Sequence, residues 1–168
     1  MKTKVLNTKT ENKKKLISEV VEILQQKGIV VLPTDTVYGI MTSIFNQEGQ
    51  KIIYHLKNRN DRKPLILLAH DMTVLKEFVV FPGKIEKIIK DFWPGQLTLI
   101  LPTTEIGKIL TGGRDNLGVR IPNCKILLDI MKSHNLPLMS TSANVSGKES
   151  AKDAKLALKY FNDKVNII

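Results

Sequence analysis

Four stretches of the chain hold side chains that could do chemistry. In Pro33-Thr34-Asp35-Thr36-Val37-Tyr38-Gly39, three short polar residues follow an apolar run released by Gly28. A polar cluster at a strand end suits a ligand site of an open α/β sheet. It equally suits a plain turn held by side chain to backbone bonds. Lys57 to Pro64 is a loop of high charge density, and Gly112 to Arg120 adds two more arginines. Ser140-Thr141-Ser142-Ala143-Asn144-Val145-Ser146-Gly147 packs hydroxyls and amides directly after Leu138-Met139. Ser and Asn side chains with free backbone N–H groups form a neutral cradle for an anion. A helix N-cap would account for one of those serines, not for the whole set.

The basic residues sharpen this reading. Lys and Arg total 26, of which only Arg59, Arg62, Arg114 and Arg120 are arginine, and these fall in two short segments. Arginine is suited to planar, two-bond recognition of carboxylate and phosphate, whereas scattered lysines make a solvated surface. The net charge of +10 attracts nucleotides and nucleic acids without specificity.

Several chemistries are disfavoured. Gly147-Lys148 lacks the first glycine and the Ser/Thr of a phosphate-binding P-loop, and no G-x-G-x-x-G occurs. His55, His70 and His134 sit at no metal-ligand spacing, so no protein metal site is expected. His55 reads as a surface residue and Cys124 as a structural one, and one cysteine allows no intrachain disulfide. No signal peptide or membrane-length apolar run is visible, which suggests a cytoplasmic protein with no membrane association.

The elements that must position these stretches alternate between strand and helix, the α/β pattern. One domain over residues 1–168 is expected at this length. Asn12 or Thr10 caps a helix to about Lys27, with Gly28 as its stop, and Asn46 caps another to about Lys57. Leu65–Ala69 reads as a buried strand. Asp71 caps a short helix, and a further helix follows Phe81-Pro82. Trp93-Pro94-Gly95 is a turn, Leu97–Leu101 and Leu117–Ile121 are strands, and Cys124–His134 is a helix. Leu138-Met139 is a short strand. Ser150 and Asp153 open a last helix to about Phe161, and Val165–Ile168 is a terminal strand. Lys57 and Arg59 are expected in a polar loop outside the core.

Taken in order, the motifs resemble the YrdC/TsaC family of L-threonylcarbamoyladenylate synthases. The family's K-x-R and distant S-x-N stand here as Lys57-Asn58-Arg59 and Ser142-Ala143-Asn144. Pro33 to Gly39, Phe92-Trp93-Pro94-Gly95, Leu97-Thr98, Leu117-Gly118-Val119-Arg120 and Ser140 to Gly147 extend the match over nearly the whole chain. The ending at Ile168 resembles the short, single-domain form without a C-terminal extension.

The resemblance implies a single-domain, twisted, open mixed sheet with helices packed on it and a concave basic groove. It implies synthesis of threonylcarbamoyl-AMP and pyrophosphate from L-threonine, bicarbonate and ATP, a nucleotidyl transfer with Mg²⁺ accompanying the triphosphate. The product would pass to a downstream threonylcarbamoyl-transferase complex that modifies a tRNA adenosine. Lys57 and Arg59 would be the catalytic cations on the triphosphate. Lys63, Asn116, Ser140, Ser142, Asn144 and Ser150 would join them at the nucleotide. Thr36, Arg120 and Ser140 would bind threonine, with Arg120 on its carboxylate. Arg120 could instead pair with Asp35 or Asp115 and only shape a loop.

Departures from the family pattern are Asn60 and Gln96, where proline is usual, and Asn116, where Thr or Ser is usual. Lys63 and Leu68 replace an Asn and a His of some long-form members, and Leu68 removes a hydrogen bond to threonine. Two other readings remain: a basic module holding double-stranded RNA or tRNA without catalysis, and an accessory domain of a carbamoyl transferase. Weak, salt-sensitive RNA binding is expected of the lysine surface in any case.

Overall fold

The computed structural model describes residues 2–60 and 63–168; Asp61 and Arg62, one of the four arginines singled out above, lie outside the described residues. Among the described residues six strands form one sheet: β1 (Val30–Leu32), β2 (Gly39–Ser43), β3 (Ile66–Leu68), β4 (Leu99–Pro102), β5 (Asn116–Arg120) and β6 (Leu138–Ser142). Their order across the sheet is β1-β2-β6-β3-β5-β4, with β3 and β5 parallel and every other pair antiparallel. This is the open mixed sheet the resemblance implied.

Among the described residues seven α-helices accompany it: α1 (Lys13–Gln25), α2 (Gln47–Leu56), α3 (Met72–Lys76), α4 (Glu86–Phe92), α5 (Glu105–Leu110), α6 (Lys125–His134) and α7 (Ala154–Phe161). Alternation along the strands divides the core in two. Val31, Ile40, Leu67, Val119 and Met139 face one side, where Ile53, Trp93 and Phe161 also pack. Val30, Leu32, Met41, Leu68 and Leu138 face the other, against Leu16, Val20 and Leu24 of α1 and Leu127, Ile130 and Met131 of α6. On that second face, alternation also directs Gly39, Gly118, Arg120, Ser140 and Ser142 outward; they do not belong to the buried cluster under α1 and α6, against which Ile66 packs.

Several boundaries differ from the sequence reading. Asn12 caps α1 as expected, but Lys27 takes the left-handed conformation, with φ of 60°, that Gly28 was expected to supply. β6 continues past Met139 to Ser142, because β3 pairs it as far as Ser140 and β2 pairs it through Thr141 and Ser142. Asp153 alone caps α7 by accepting from the Leu156 N–H at 2.7 Å; Ser150 lies outside the helix and does not cap it. Val165–Ile168 forms single bridges from Ile167 to Lys4 and Val30 instead of a strand. Two elements were not foreseen, β2 and α5. No described helix is long and apolar enough to cross a membrane.

Candidate functional site

Pro33 to Tyr38 joins adjacent antiparallel strands, yet it does not turn tightly. Asp35 at its centre reaches Arg120 at the end of β5, and three strands (β2, β6 and β3) lie between β1 and β5. At about 4.8 Å per strand spacing, the segment crosses well over 10 Å of sheet. It is a strap over the second face. Its near end is tied to the S-x-N segment: the Tyr38 N–H donates to Ala151 O at 2.8 Å, and Tyr38 O accepts from the Ala143 N–H at 2.7 Å.

Beneath the strap is a cleft of about 150 Å³, lined by Thr34 to Gly39, without Asp35, and by Ile66, Leu68, Arg120, Pro122 and Ser140 to Ser142. The floor is made of small residues for a packing reason. A Cβ on Gly39 would stand 3.0 Å from Ser140 Oγ, closing the space above it. Ser140 is 3% exposed, and among the described residues its hydroxyl has no hydrogen-bond partner, so it is available to a ligand. Thr36, Ser140 and Arg120, named from three separate stretches, meet here. Leu68 lines the cleft as well, with no group to offer a hydrogen bond.

Arg120 is 8% exposed and heavily engaged. Its Nε donates to Gly95 O at 2.8 Å and its Nη2 to Asp35 Oδ1 at 2.5 Å, while Nη1 makes only a 3.5 Å approach to Thr36 Oγ1. Asp35 is therefore the partner of Arg120; Asp115 pairs with Lys108 at 2.6 Å. Pairing and ligand binding are compatible, because a guanidinium has five N–H donors and Nη1 still faces the cleft. Asp35 Oδ2 is buried with no partner. The Gln96 amide donates to Asp35 O at 3.0 Å, so the residue that departs from the usual proline pins the far end of the strap.

Lys57 overturns its expected placement. It is the C-cap residue of α2 and is 1% exposed, not a loop residue outside the core. Its ammonium donates to Ser142 O, to Asn144 O at 2.7 Å and to Asn144 Oδ1 at 3.1 Å. Burial, and secondarily the nearby Arg59 charge, lower its pKa from 10.5 to about 8. Asn144 is also used up: its Oδ1 accepts from Ser142 Oγ at 2.7 Å, and its Nδ2 donates to Val145 O and Lys148 O. Several of the backbone N–H groups expected to form a cradle are already engaged. The amides of Ala143, Asn144, Ser146, Lys148 and Ala151 all serve backbone carbonyls. Lys57 of K-x-R thus locks onto S-x-N, and the one hydroxyl proton of Ser142 is spent inside the lock.

The remaining nucleotide-side residues are more dispersed. Arg59 donates from Nε to Lys63 O at 2.8 Å and from Nη2 to Pro64 O at 3.2 Å, closing the ends of the charged loop; the Lys63 side chain is exposed. Asn116 is exposed at the start of β5, four residues and so about 13 Å along the strand from Arg120. Neither Asn116 nor Ser150 lines the cleft. Among the described residues no group of three or more His, Cys, Asp or Glu could hold a metal. Thr34 and Gln96 were missed as site-forming residues. The T-x-T spacing was the available signal for Thr34; for Gln96 the sequence held none.

Comparison with known proteins agrees with these motifs. The Sua5/YciO/YrdC family, described as "Telomere recombination", matches residues 22–168. A threonylcarbamoyl-AMP synthase of Pyrococcus abyssi is 33% identical over 147 residues, covering 86% of this chain and 43% of that protein. One from Bacillus subtilis is 34% identical over 142 residues, covering 83% of this chain and 41% of that protein. The chain thus spans less than half the length of these two relatives. The crystal structure of P. abyssi Sua5 complexed with L-threonine superposes with a TM-score of 0.91 at 31% identity, covering 99% of this chain and 49% of that one. On its motifs, its sheet and these matches, the chain belongs to the Sua5/YciO/YrdC family.

Proposed function

We propose that this chain makes threonylcarbamoyl-AMP and pyrophosphate from L-threonine, bicarbonate and ATP, as a nucleotidyl-transfer enzyme serving tRNA N6-threonylcarbamoyladenosine synthesis. The observation that carries the reading is the meeting of Thr36, Ser140 and Arg120 in one cleft, within a family whose curated relatives bear that activity in their names. A volume of about 150 Å³ suits an amino acid better than a nucleotide. The P. abyssi relative was crystallised with L-threonine.

The chemistry needs positioning more than a protein nucleophile. The threonine amine attacks the bicarbonate carbon. A C–N bond forms, and the departing hydroxide leaves with the amine proton as water. A carbamate oxygen then attacks the α-phosphorus and pyrophosphate departs. Arg120 Nη1 receives the threonine carboxylate, and the unpartnered Ser140 hydroxyl stands between amino acid and phosphate. Lys57 supplies positive charge from beneath the S-x-N segment, so its contribution is the shape of that segment plus through-space attraction. Arg59, Lys63, Asn116, Ser142, Asn144 and Ser150 form the nucleotide side. Mg²⁺ would arrive with ATP on phosphate oxygens and neutralise their charge, since no carboxylate cluster among the described residues could cage it.

The test is incubation with ATP, L-threonine and bicarbonate, reading the adenylate by mass and pyrophosphate by release. Product that needs all three substrates is expected; ATP turnover indifferent to threonine overturns the reading. Transfer to a downstream threonylcarbamoyl-transferase complex in the cytoplasm completes the proposal. RNA binding is expected to be weak and to fall steeply with salt.

A further inference from the structure

The strap carries a hydrogen-bond arrangement that fixes where one proton lies. Thr34 Oγ1 donates to Val37 O at 2.7 Å. A hydroxyl has one proton, so Thr34 has none left. It also accepts from the Thr36 N–H at 3.1 Å. The 3.0 Å contact between Thr34 Oγ1 and Thr36 Oγ1 must therefore be a bond donated by Thr36. Thr36, exposed at the cleft, has then spent its own proton and offers only lone pairs. Arg120 Nη1 stands 3.5 Å from Thr36 Oγ1, a long contact that leaves acceptor capacity open.

We propose that Thr34 is a positioning residue that sets the polarity of the cleft: through it, Thr36 becomes an obligate acceptor beside the donor Arg120. This rests on the amino-acid reading of the cleft above, and goes beyond it by assigning the ligand's orientation. A carboxylate seated on Arg120 Nη1 lies next to Thr36. In an α-amino acid the group nearest the carboxylate is the α-amine. Thr36 therefore accepts an N–H of that amine.

The polarity matters for the chemistry. Carbamate formation uses the nitrogen lone pair. A hydroxyl that donated to the nitrogen would occupy that lone pair; one that accepts from an N–H leaves it pointing away, toward the incoming carbon. Thr34 removes the wrong option before the substrate arrives, which is preorganisation in the sense of a cost already met in folding.

The experiment compares wild type with Thr34→Val, which keeps the shape and loses the hydroxyl, and Thr34→Ser, which keeps the hydroxyl. Steady-state kinetics are measured with each substrate varied, and affinities are measured by calorimetry for L-threonine and for 3-hydroxybutanoate, which lacks the amine. In Thr34→Val the threonine KM is expected to rise about three- to tenfold, the worth of one hydrogen bond. The ATP KM stays unchanged, and the preference for L-threonine over 3-hydroxybutanoate narrows by the same factor. Thr34→Ser restores both. A purely structural role would weaken the two ligands equally and leave their ratio intact; that result, or wild-type threonine affinity in Thr34→Val, overturns the proposal. Should Thr34→Val fail to fold, Thr34→Ala gives the same ratio test. Failure of the amino-acid reading looks different: wild type itself would not bind L-threonine.

Discussion

Lys57 Nζ and Asn144 are joined twice, to the side-chain Oδ1 at 3.1 Å and to the backbone oxygen at 2.7 Å, across 87 residues of sequence. The two halves of the family signature are therefore one structural unit. Lys57→Met keeps the aliphatic stem but withdraws the ammonium from three acceptors, of which Asn144 Oδ1 keeps Ser142 Oγ, Ser142 O keeps the Asn144 N–H, and Asn144 O is left without its donor. Leaving a buried acceptor without its donor costs about 1–3 kcal/mol. A fall in melting temperature together with lost turnover is expected. Loss of turnover at an unchanged melting temperature would return Lys57 to a purely phosphate-binding role.

The pKa of about 8 at Lys57 predicts opposite pH responses in two measurements. The folded chain gives up this proton near pH 8, and the unfolded chain holds it to 10.5. Between these values the unfolded state binds more protons, so this group's contribution to stability rises with pH. Turnover should fall in the same window, because the neutral amine no longer holds the S-x-N segment with full charge. Lys57→Arg, which stays charged, should keep whatever turnover it has flat through pH 8 to 10. A basic-limb profile identical in both proteins would dissociate Lys57 from it.

Asp35 and Arg120 are each about a tenth exposed at the side chain. Asp35→Ala leaves the guanidinium buried without its counter-charge, at a cost of about 3 kcal/mol, seen as a lower melting temperature. Arg120→Lys keeps the charge but not the geometry that serves Gly95 O, Asp35 and the ligand at once. It should raise the threonine KM about ten- to a hundredfold, leave the ATP KM near wild type, and also lower the melting temperature. The ion pair to Asp35 is the reason the melting temperature falls as well. In the double variant the two melting-temperature losses should not add, and simple additivity would deny the coupling.

His134 is buried with both ring nitrogens unpartnered, and burial lowers its pKa below 6.5. The unfolded chain takes up this proton first as pH falls through 6.5, so stability is lost from there downward until the folded-state pKa is reached. His134→Leu should flatten that acid limb in chemical denaturation. An unaltered acid limb would assign it to other groups.

Much of the architecture was legible because local signals agreed with it. Asn12, Asn46 and Asp71 cap the helices they were expected to cap, and the apolar runs at Leu65 and Leu117 became strands. β2 was missed because Thr42 and Ser43 are buried polar residues, with Thr42 Oγ1 satisfied by Gly28 O at 2.8 Å, so no apolar alternation marks the strand. α5 was missed because Gly107 sits inside it; a Cβ there would meet Phe78 O at 2.0 Å, so packing demands the residue that helix propensity disfavours. In the site, the residue types were legible but not their commitments. Composition cannot say that Lys57 is spent on the backbone oxygens of Ser142 and Asn144, because those partners lie 85 and 87 positions away.

The strap has a kinetic consequence. Asp35 and Arg120 are 85 residues apart, so the cleft is closed by contacts whose loop entropy is settled only after β5 has docked. The cleft is accordingly a late product of assembly, and the first to dissolve if the β4–β5 edge opens locally while β1, β2 and β6 stay paired. Occupancy of the cleft is then coupled to an edge of the sheet that the ligand need not touch: bound L-threonine should slow amide hydrogen exchange along β4 as well as along the strap.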